Sequence, residues 1–279
     1  MLIRCWGARG SIPVSGEQYL RYGGDTTCIE LRTRDGETIV IDAGTGIRRL
    51  GKRLLSEAAS PVHLLFTHAH WDHLLGFPFF KPLYRPSYSI HLYGCPCAQS
   101  SVKDIISGAM APPNFPVPLD DVHADVSFQT QCDVAFSLGS VVVTPIRISH
   151  PNEGLGYKFE EDGRCFVFLT DNELGFRHEG GLAVEDYEAF CEGADLLIHD
   201  AEFSPQEYQH TRTWGHSTFA EVVTLALEAK VKALGLFHHN QDRSDDQIDA
   251  IADTCRDQIA DAAAELECFA VAAGMERVV

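Results

Sequence analysis

Apolar residues in the first quarter of the chain fall into short runs separated by glycine-rich loops. These runs predict strands over residues 2–6, 26–32 and 38–41. Helical spacing of apolar positions follows over residues 47–58. The run at 62–67 is apolar at nearly every position, which is typical of a strand buried on both faces. The beginning of the chain therefore predicts a sheet interrupted by one amphipathic helix.

The second half repeats this pattern, and each apolar run ends close to a polar residue. We predict strands over residues 141–148, 155–160, 165–170, 195–199 and 233–237, and helices over 101–109, 217–230 and 244–263. The proline-rich segment 112–118 belongs to an insertion near 98–120 that we interpret as a lid or a dimer contact, with a plain surface loop as the alternative. Two β-rich halves with helices predict an α/β sandwich of two sheets covered by helices, in one domain spanning 1–279.

Composition narrows the classes of partner. The chain is 45% hydrophobic and 22% charged, as in an ordinary globular protein, which excludes a disordered chain. Its 40 acidic and 22 basic residues give a net charge of -18. Because polynucleotide affinity comes mainly from cationic side chains, a long nucleic acid is disfavoured. A small anionic substrate remains compatible, since bound cations reverse the potential locally.

The nine cysteines are scattered and odd in number, so we expect reduced, mostly buried thiols. Cys95 and Cys97 form a pair that no second pair completes, and we interpret them as structural. The N-terminus lacks the pattern of a secretion signal, and no apolar run is long enough to span a membrane. These features favour the cytoplasm and no membrane partner.

A dense group of histidines follows the apolar run at 62–67. His68, His70, Asp72 and His73 lie within six residues of each other. Side chains alternate along an extended segment, so His68 and His70 point to the same side and can face one ion. Asp72 and His73 then turn toward a second position as a helix begins. Imidazole and carboxylate are the usual ligands of zinc and related metals, so this motif predicts a metal site with catalytic function.

Polar side chains at four later strand ends offer the remaining ligands. They are His150, Asp171, the pair His199 and Asp200, and the pair His238 and His239. Ligands on loops at one edge of a β scaffold are held in tight geometry. Either histidine of the last pair could be the ligand.

With these residues the chain resembles the metallo-β-lactamase superfamily over essentially its whole length. The resemblance implies that family's αββα sandwich and a site for two divalent metal ions, Zn²⁺ first, with Mn²⁺ or Fe²⁺ as alternatives. It implies a first metal held by His68, His70 and His150, a second held by Asp72, His73 and His238, and Asp171 bridging both. Asp42 matches the family's early aspartate, which supports the histidine loop.

Two further motifs indicate a branch of this superfamily. Asp171 stands where a cysteine would mark the true β-lactamases. Residues 214–218 resemble the His-Ser-Thr motif shared by ribonuclease Z and the phosphoribosyl cyclic phosphodiesterases, and 197–203 resembles that branch's acidic motif. The resemblance implies that Asp200 orients His216, which protonates or stabilises the departing oxygen. Asp72, Asp200 and His216 are thus the predicted catalytic residues. Capping of the following helix is the alternative role for 215–217.

We therefore predict a metal-dependent phosphodiesterase that hydrolyses a small cyclic phosphodiester, such as a cyclic nucleotide. Arg9 and Ser11, in a loop resembling the cyclic phosphodiesterase group, are candidates to contact phosphate, although such glycine-rich loops are turns by default. The alternatives are a lactonase or thioesterase, a tRNA 3′-processing nuclease, and a noncatalytic binding protein. The family often dimerises, so a homodimer is expected.

Overall fold

The computed structural model describes residues 1–94, 101–129 and 134–279. Its strands are β1 Leu2–Gly7, β2 Cys28–Arg32, β3 Thr38–Ile41, β4 Val62–Leu65, β5 Ser89–Tyr93, β6 Asp125–Gln129, β7 Phe136–Leu138, β8 Val141–Arg147, β9 Leu155–Glu161, β10 Arg164–Leu169, β11 Leu196–Asp200, β12 Ala233–Phe237, β13 Glu267–Ala270 and β14 Glu276–Val278. Its α-helices are α1 Ile47–Leu54, α2 Trp71–Leu74, α3 Val102–Met110, α4 Val184–Cys191, α5 Pro205–Thr211, α6 Phe219–Glu228 and α7 Asp245–Asp261. Short 3₁₀ turns lie at Glu17–Tyr19, Phe77–Phe79, Lys81–Tyr84 and Leu119–Asp121.

The strands form two mixed sheets, each of seven strands within the described ranges. The first has the order β14-β1-β2-β3-β4-β5-β6, and the second has the order β13-β12-β11-β10-β9-β8-β7. One apolar cluster fills the space between the sheets and includes Ile41, Phe159, Phe168 and Phe237. A second cluster packs α4, α6 and α7 on one sheet, and a third packs α1 and α3 on the other. These layers confirm the predicted αββα sandwich.

Parallel pairing explains why distant polar residues meet. β3, β4 and β5 pair in parallel in the first sheet, and β10, β11, β12 and β13 do so in the second. The carboxyl ends of parallel strands lie at one edge of a sheet. The loops that follow β4, β10, β11 and β12 therefore converge, as the strand-end pattern predicted.

The predicted elements are present, and their observed ends differ from the predicted ones by at most four residues. The helix predicted over 47–58 ends at Leu54, and the one predicted over 244–263 spans Asp245–Asp261, where the Ser244 hydroxyl accepts a hydrogen bond from the Gln247 backbone amide. Missed elements include the strands β5, β6, β7, β13 and β14 and the helices α4 and α5. Most of these strands are short, and the residues of β6 and β14 are half-buried or exposed, so neither carries a clear alternating pattern.

Two expectations concern segments that the structure describes only in part. Cys95 and Cys97, and the first residues of the insertion near 98–120, lie outside the described residues. Segment 112–118 is irregular, as predicted. The six cysteines of the described ranges are free, and five of them are buried. Among the described helices, none has the length and apolar character needed to cross a membrane.

Candidate metal centre

His68 and His70 leave β4 on an extended segment and meet His150, which follows β8. The ring centroids of these three residues are 4.6–4.8 Å apart. Nε2 of His150 lies 3.1 Å from Nδ1 of His70. Together with Asp171 they form a group whose potential ligand atoms all lie within 4.8 Å of one another. The structure thus brings together the four residues predicted to hold the first metal.

Asp72 and His73 point elsewhere because α2 begins at Trp71 and turns the chain. His73 Nε2 lies 3.3 Å from Asp72 Oδ2, and His238 Nε2 lies 3.1 Å from that oxygen. Asp171 approaches His73 at 3.4 Å with one carboxylate oxygen and His238 at 3.4 Å with the other. These four residues form a second, buried group of potential ligands. Asp171 belongs to both groups, which is the arrangement that a bridging ligand requires.

The outward nitrogens of the histidines are fixed by hydrogen bonds. His73 Nδ1 lies 2.7 Å from Asp42 Oδ2, and His238 Nδ1 lies 2.8 Å from Glu202 Oε2. His150 Nδ1 lies 2.9 Å from the carbonyl oxygen of Gly215. A histidine that donates Nδ1–H to such an acceptor presents the lone pair of Nε2 to the opposite side, as metal-bound histidines do.

Two inward-facing nitrogens of these groups make no hydrogen bond with the described residues. Nε2 of His68 and Nε2 of His73 are buried without a hydrogen bond, although buried polar atoms in proteins are nearly always paired. Imidazole nitrogens and carboxylate oxygens suit zinc, manganese or iron. The two groups therefore fit two divalent cations, and such cations would satisfy both nitrogens.

The electrostatics differ between the two groups. Burial lowers the pKa of His68 and His70, and it lowers the pKa of His150 to about 3, so these rings are neutral, which is the form in which imidazole binds metal. In the second group burial opposes charge on His73 and His238, but nearby carboxylates outweigh it and raise both pKa values. Metal binding to the second group would therefore displace protons from these rings.

His216 lies beside both groups, with its ring stacked 4.6 Å from that of His238. Its Nδ1 is 3.6 Å from Asp200 Oδ2 and also 3.6 Å from Glu202 Oε2. The Asp200 oxygens accept hydrogen bonds from the backbone amides of Asn172 and Ser217, each at 2.9 Å. The predicted proximity of Asp200 and His216 is present, but Asp200 also organises the surrounding backbone.

Glu202 is the site residue that sequence reasoning missed. It is 3% exposed, contacts His238 and faces His216. The available signal was its position two residues after Asp200, because alternate residues of an extended segment share a side. Glu202 therefore fixes the outward nitrogen of His238 and adds a second carboxylate beside His216.

The geometry favours one answer for each of two alternatives that the sequence left open. His239 Nε2 lies 2.8 Å from the carbonyl oxygen of Val271, outside both groups, whereas His238 belongs to the second group. Helix α6 is capped by Thr218, whose hydroxyl accepts a hydrogen bond from the Glu221 amide. Capping by this segment and a position for His216 at the metal groups coexist.

The expectation that Arg9 contacts phosphate is wrong. Arg9 is fully buried, and its guanidinium donates to the carbonyl oxygens of Gly23, Asn240 and Arg243 while pairing with Asp245 at 3.5 Å. It ties the first glycine-rich loop to the segment that precedes α7. Ser11 differs, because its side chain is exposed and its backbone amide donates to Asp72 Oδ2 at 2.9 Å.

We expect Arg9→Leu to destabilise the fold by about 3–5 kcal/mol, because it leaves Asp245 buried without its cation. Urea unfolding measures the change. Arg48→Leu is the matched control, since Arg48 is exposed and its loss should stay within about 0.5 kcal/mol. An Arg9→Leu protein with unchanged unfolding free energy and a raised KM would instead assign Arg9 to substrate binding.

Comparison with known proteins extends this description. Residues 37–239 match the family described as beta-lactamase superfamily domain. Ribonuclease Z of Haloarcula marismortui is 26% identical over 80% of this chain and 83% of its own length. The metallo-β-lactamase fold protein YhfI from Bacillus subtilis superposes with a TM-score of 0.70 at 17% identity, over 99% of both chains. A diphosphatase from the PhnP family superposes with a TM-score of 0.67 at 18% identity, over 100% of this chain and 97% of its own.

Proposed function

We propose that this protein, a member of the β-lactamase superfamily and a metal-dependent hydrolase, cleaves the phosphodiester bond of a small, cyclic substrate such as a cyclic nucleotide. The observation that carries the proposal is the position of His216. A buried imidazole flanked by two carboxylates lies directly against the second ligand group. Phosphodiester hydrolysis is accelerated by a proton donor beside the metal ions, because negative charge builds on the departing oxygen.

The residues of the two groups would hold two divalent cations through His68, His70, His150, Asp72, His73, His238 and the shared Asp171. When bound, such a pair supplies activated water at neutral pH and positive charge against the phosphate oxygens. We expect zinc, with manganese or iron as alternatives, since histidine and aspartate suit all three.

His216 would donate the proton that the leaving oxygen needs. Burial lowers its pKa, but Glu202 and Asp200 outweigh this and raise the pKa to about 9 in the metal-free protein, so the two carboxylates favour a protonated ring. As the water oxygen bonds to phosphorus and the phosphorus–oxygen ester bond breaks, that proton passes to the leaving oxygen. In a cyclic diester the resulting hydroxyl stays on the product.

The negative net charge of the protein supports a small substrate rather than a polynucleotide. The net charge of -18 repels a polyanion at long range, whereas a small diester meets mainly the local field of bound cations. A tRNA 3′-processing nuclease is the second candidate, because the similar protein from Haloarcula marismortui is named ribonuclease Z. A homodimer in the cytoplasm remains our expectation for either function.

The test is hydrolysis of bis-p-nitrophenyl phosphate, a panel of cyclic nucleotides, a precursor tRNA, a lactone and a thioester by protein reconstituted with zinc or manganese. We expect turnover of the cyclic diesters that His216→Ala lacks. Processing of tRNA with an affinity that falls steeply with salt would favour the nuclease. Activity confined to lactones or thioesters, and retained in His216→Ala, would move the protein to carboxylic ester hydrolysis.

A further inference from the structure

Trp214 lies at the edge of the candidate metal centre with most of its side chain in solvent. It is 62% exposed, yet it directly precedes Gly215, whose carbonyl oxygen fixes the His150 ring. Its ring packs edge-on against Phe203 at 6.4 Å, and Phe203 packs edge-on against His216 at 6.0 Å. A row of aromatic rings thus leads from the predicted proton donor to the surface.

Exposure alone would not distinguish Trp214, because single apolar side chains on a surface are ordinary. Its backbone is the distinguishing feature. Thr213 has a φ of 78°, which is a rare conformation for a β-branched residue, and Gly215 has a φ of 96°. A side chain at Gly215 would collide with His150, since an added Cβ would lie 2.1 Å from its Nδ1. Both neighbours of Trp214 are therefore held at positive φ, which is unusual for Thr213 and requires glycine at 215.

A buried carboxylate holds this conformation in place. Glu173 is 1% exposed and accepts hydrogen bonds from the backbone amides of Thr213 and Gly215, each at 2.7 Å. Its carboxylate also accepts from Tyr208 at 2.6 Å and contacts His178 Nε2 at 2.7 Å. Strained backbone that the surroundings over-determine is concentrated at functional sites. Here it presents an indole to solvent beside a reaction centre.

A cationic residue, Arg212, precedes Trp214 by two positions in the same segment. Arg212 is exposed, and its guanidinium lies over the Phe176 ring at 5.0 Å. Within the described part of the chain it makes no ion pair with a carboxylate, so its charge is available to an anionic ligand. Aromatic faces and arginines together are the groups that hold bases and phosphates of nucleotides.

We propose that Trp214 is a substrate-binding residue that stacks on a planar aromatic group, such as a nucleobase, carried by the phosphodiester that the metal centre cleaves. Arg212 attracts the negative charge of the same substrate. This inference rests on the proposed function and names its substrate class. Stacking on Trp214 would make the protein selective for diesters that carry a base over diesters that do not.

The test compares adenosine 2′,3′-cyclic monophosphate with glycerol 1,2-cyclic phosphate, which has no ring to stack. For Trp214→Ala we expect KM to rise about 5- to 150-fold for the nucleotide and to stay unchanged for the glycerol diester. Trp214→Phe should keep most of the nucleotide affinity, and Trp214→Leu should not, since leucine has no π face. Leu20→Ala is the control, because Leu20 is an exposed apolar residue at 78%.

Calorimetric binding of adenosine 5′-monophosphate gives a readout independent of turnover and should weaken by the same factor in Trp214→Ala. Equal effects on both diesters, or none on either, would overturn the inference while leaving phosphodiester hydrolysis intact. A shift from dimer to monomer in sedimentation, with unchanged nucleotide binding, would also overturn it and assign Trp214 to a contact between two copies. If the unsubstituted protein cleaves neither diester, the proposed function fails, and nucleotide binding alone decides the stacking role.

Discussion

Asp171→Ala is expected to remove bound metal and reduce hydrolysis to the background of the buffer. Asp171 is 1% exposed and supplies both carboxylate oxygens to the space between the two ligand groups. Its loss removes the one negative charge shared by both predicted metals and leaves His68, His73 and His238 without their common acidic neighbour. Metal content after dialysis and turnover of bis-p-nitrophenyl phosphate measure the two effects.

The loss of metal binding should be largest for substitutions of the predicted ligands and smaller for substitutions of residues that contact a ligand from behind. His68→Ala removes a predicted ligand and should match Asp171→Ala. Among the predicted ligands Asp42 contacts the outward nitrogen of His73, and its carboxylate also accepts hydrogen bonds from the backbone amide and hydroxyl of Thr67, so Asp42→Asn should weaken metal binding by roughly 10- to 100-fold. Asp162→Ala is the matched control, because Asp162 is an exposed aspartate with the same left-handed backbone, φ 51° against 56° for Asp171. Full turnover by metal-free His68→Ala protein would contradict the mechanism.

The ligand groups were predictable because they depend on local patterns. The apolar run at 62–67 predicts a buried strand, and His68, His70, Asp72 and His73 directly after it predict which side chains lie at the strand's carboxyl end. Parallel pairing then brings the ends of β10 and β12 to the same edge. The sandwich itself followed from the alternation of short apolar runs with amphipathic helices.

The errors involve residues whose roles depend on distant contacts. The glycine-rich loop that contains Arg9 matches a phosphate-binding pattern, but the Arg9 guanidinium donates its hydrogen bonds to carbonyl groups more than 200 residues away. Glu202 gains its role from His238, which lies 36 residues later. Strands such as β14 owe their existence to pairing with β1 rather than to their own pattern. These contacts join residues far apart in the sequence, so they cannot be predicted from the pattern of neighbouring residues.

His216→Ala is expected to keep its metal content and lose hydrolysis by about a hundredfold to ten-thousandfold, the usual worth of a positioned proton donor. His216 belongs to neither of the groups that contain Asp171, so its removal leaves their ligands in place. The loss should appear in kcat more than in KM, because the proton is needed as the ester bond breaks. Metal analysis and steady-state kinetics on one preparation separate the two effects.

A third cluster gives the competing explanation, since Glu202, His216 and His238 also lie close enough to hold a cation. If His216 were a ligand, His216→Ala would lose bound metal together with activity. Glu202→Gln tests the same point, because it removes one carboxylate of this cluster and changes the hydrogen bond to His238 Nδ1, while Asp200 stays beside His216.

The leaving group gives a second test of the proton donor. A diester with an acidic leaving group, such as bis-p-nitrophenyl phosphate, needs little protonation, so His216→Ala should reduce its hydrolysis less than that of a cyclic nucleotide. Equal losses on both substrates would argue against a proton donor, because a structural role would not depend on the leaving group.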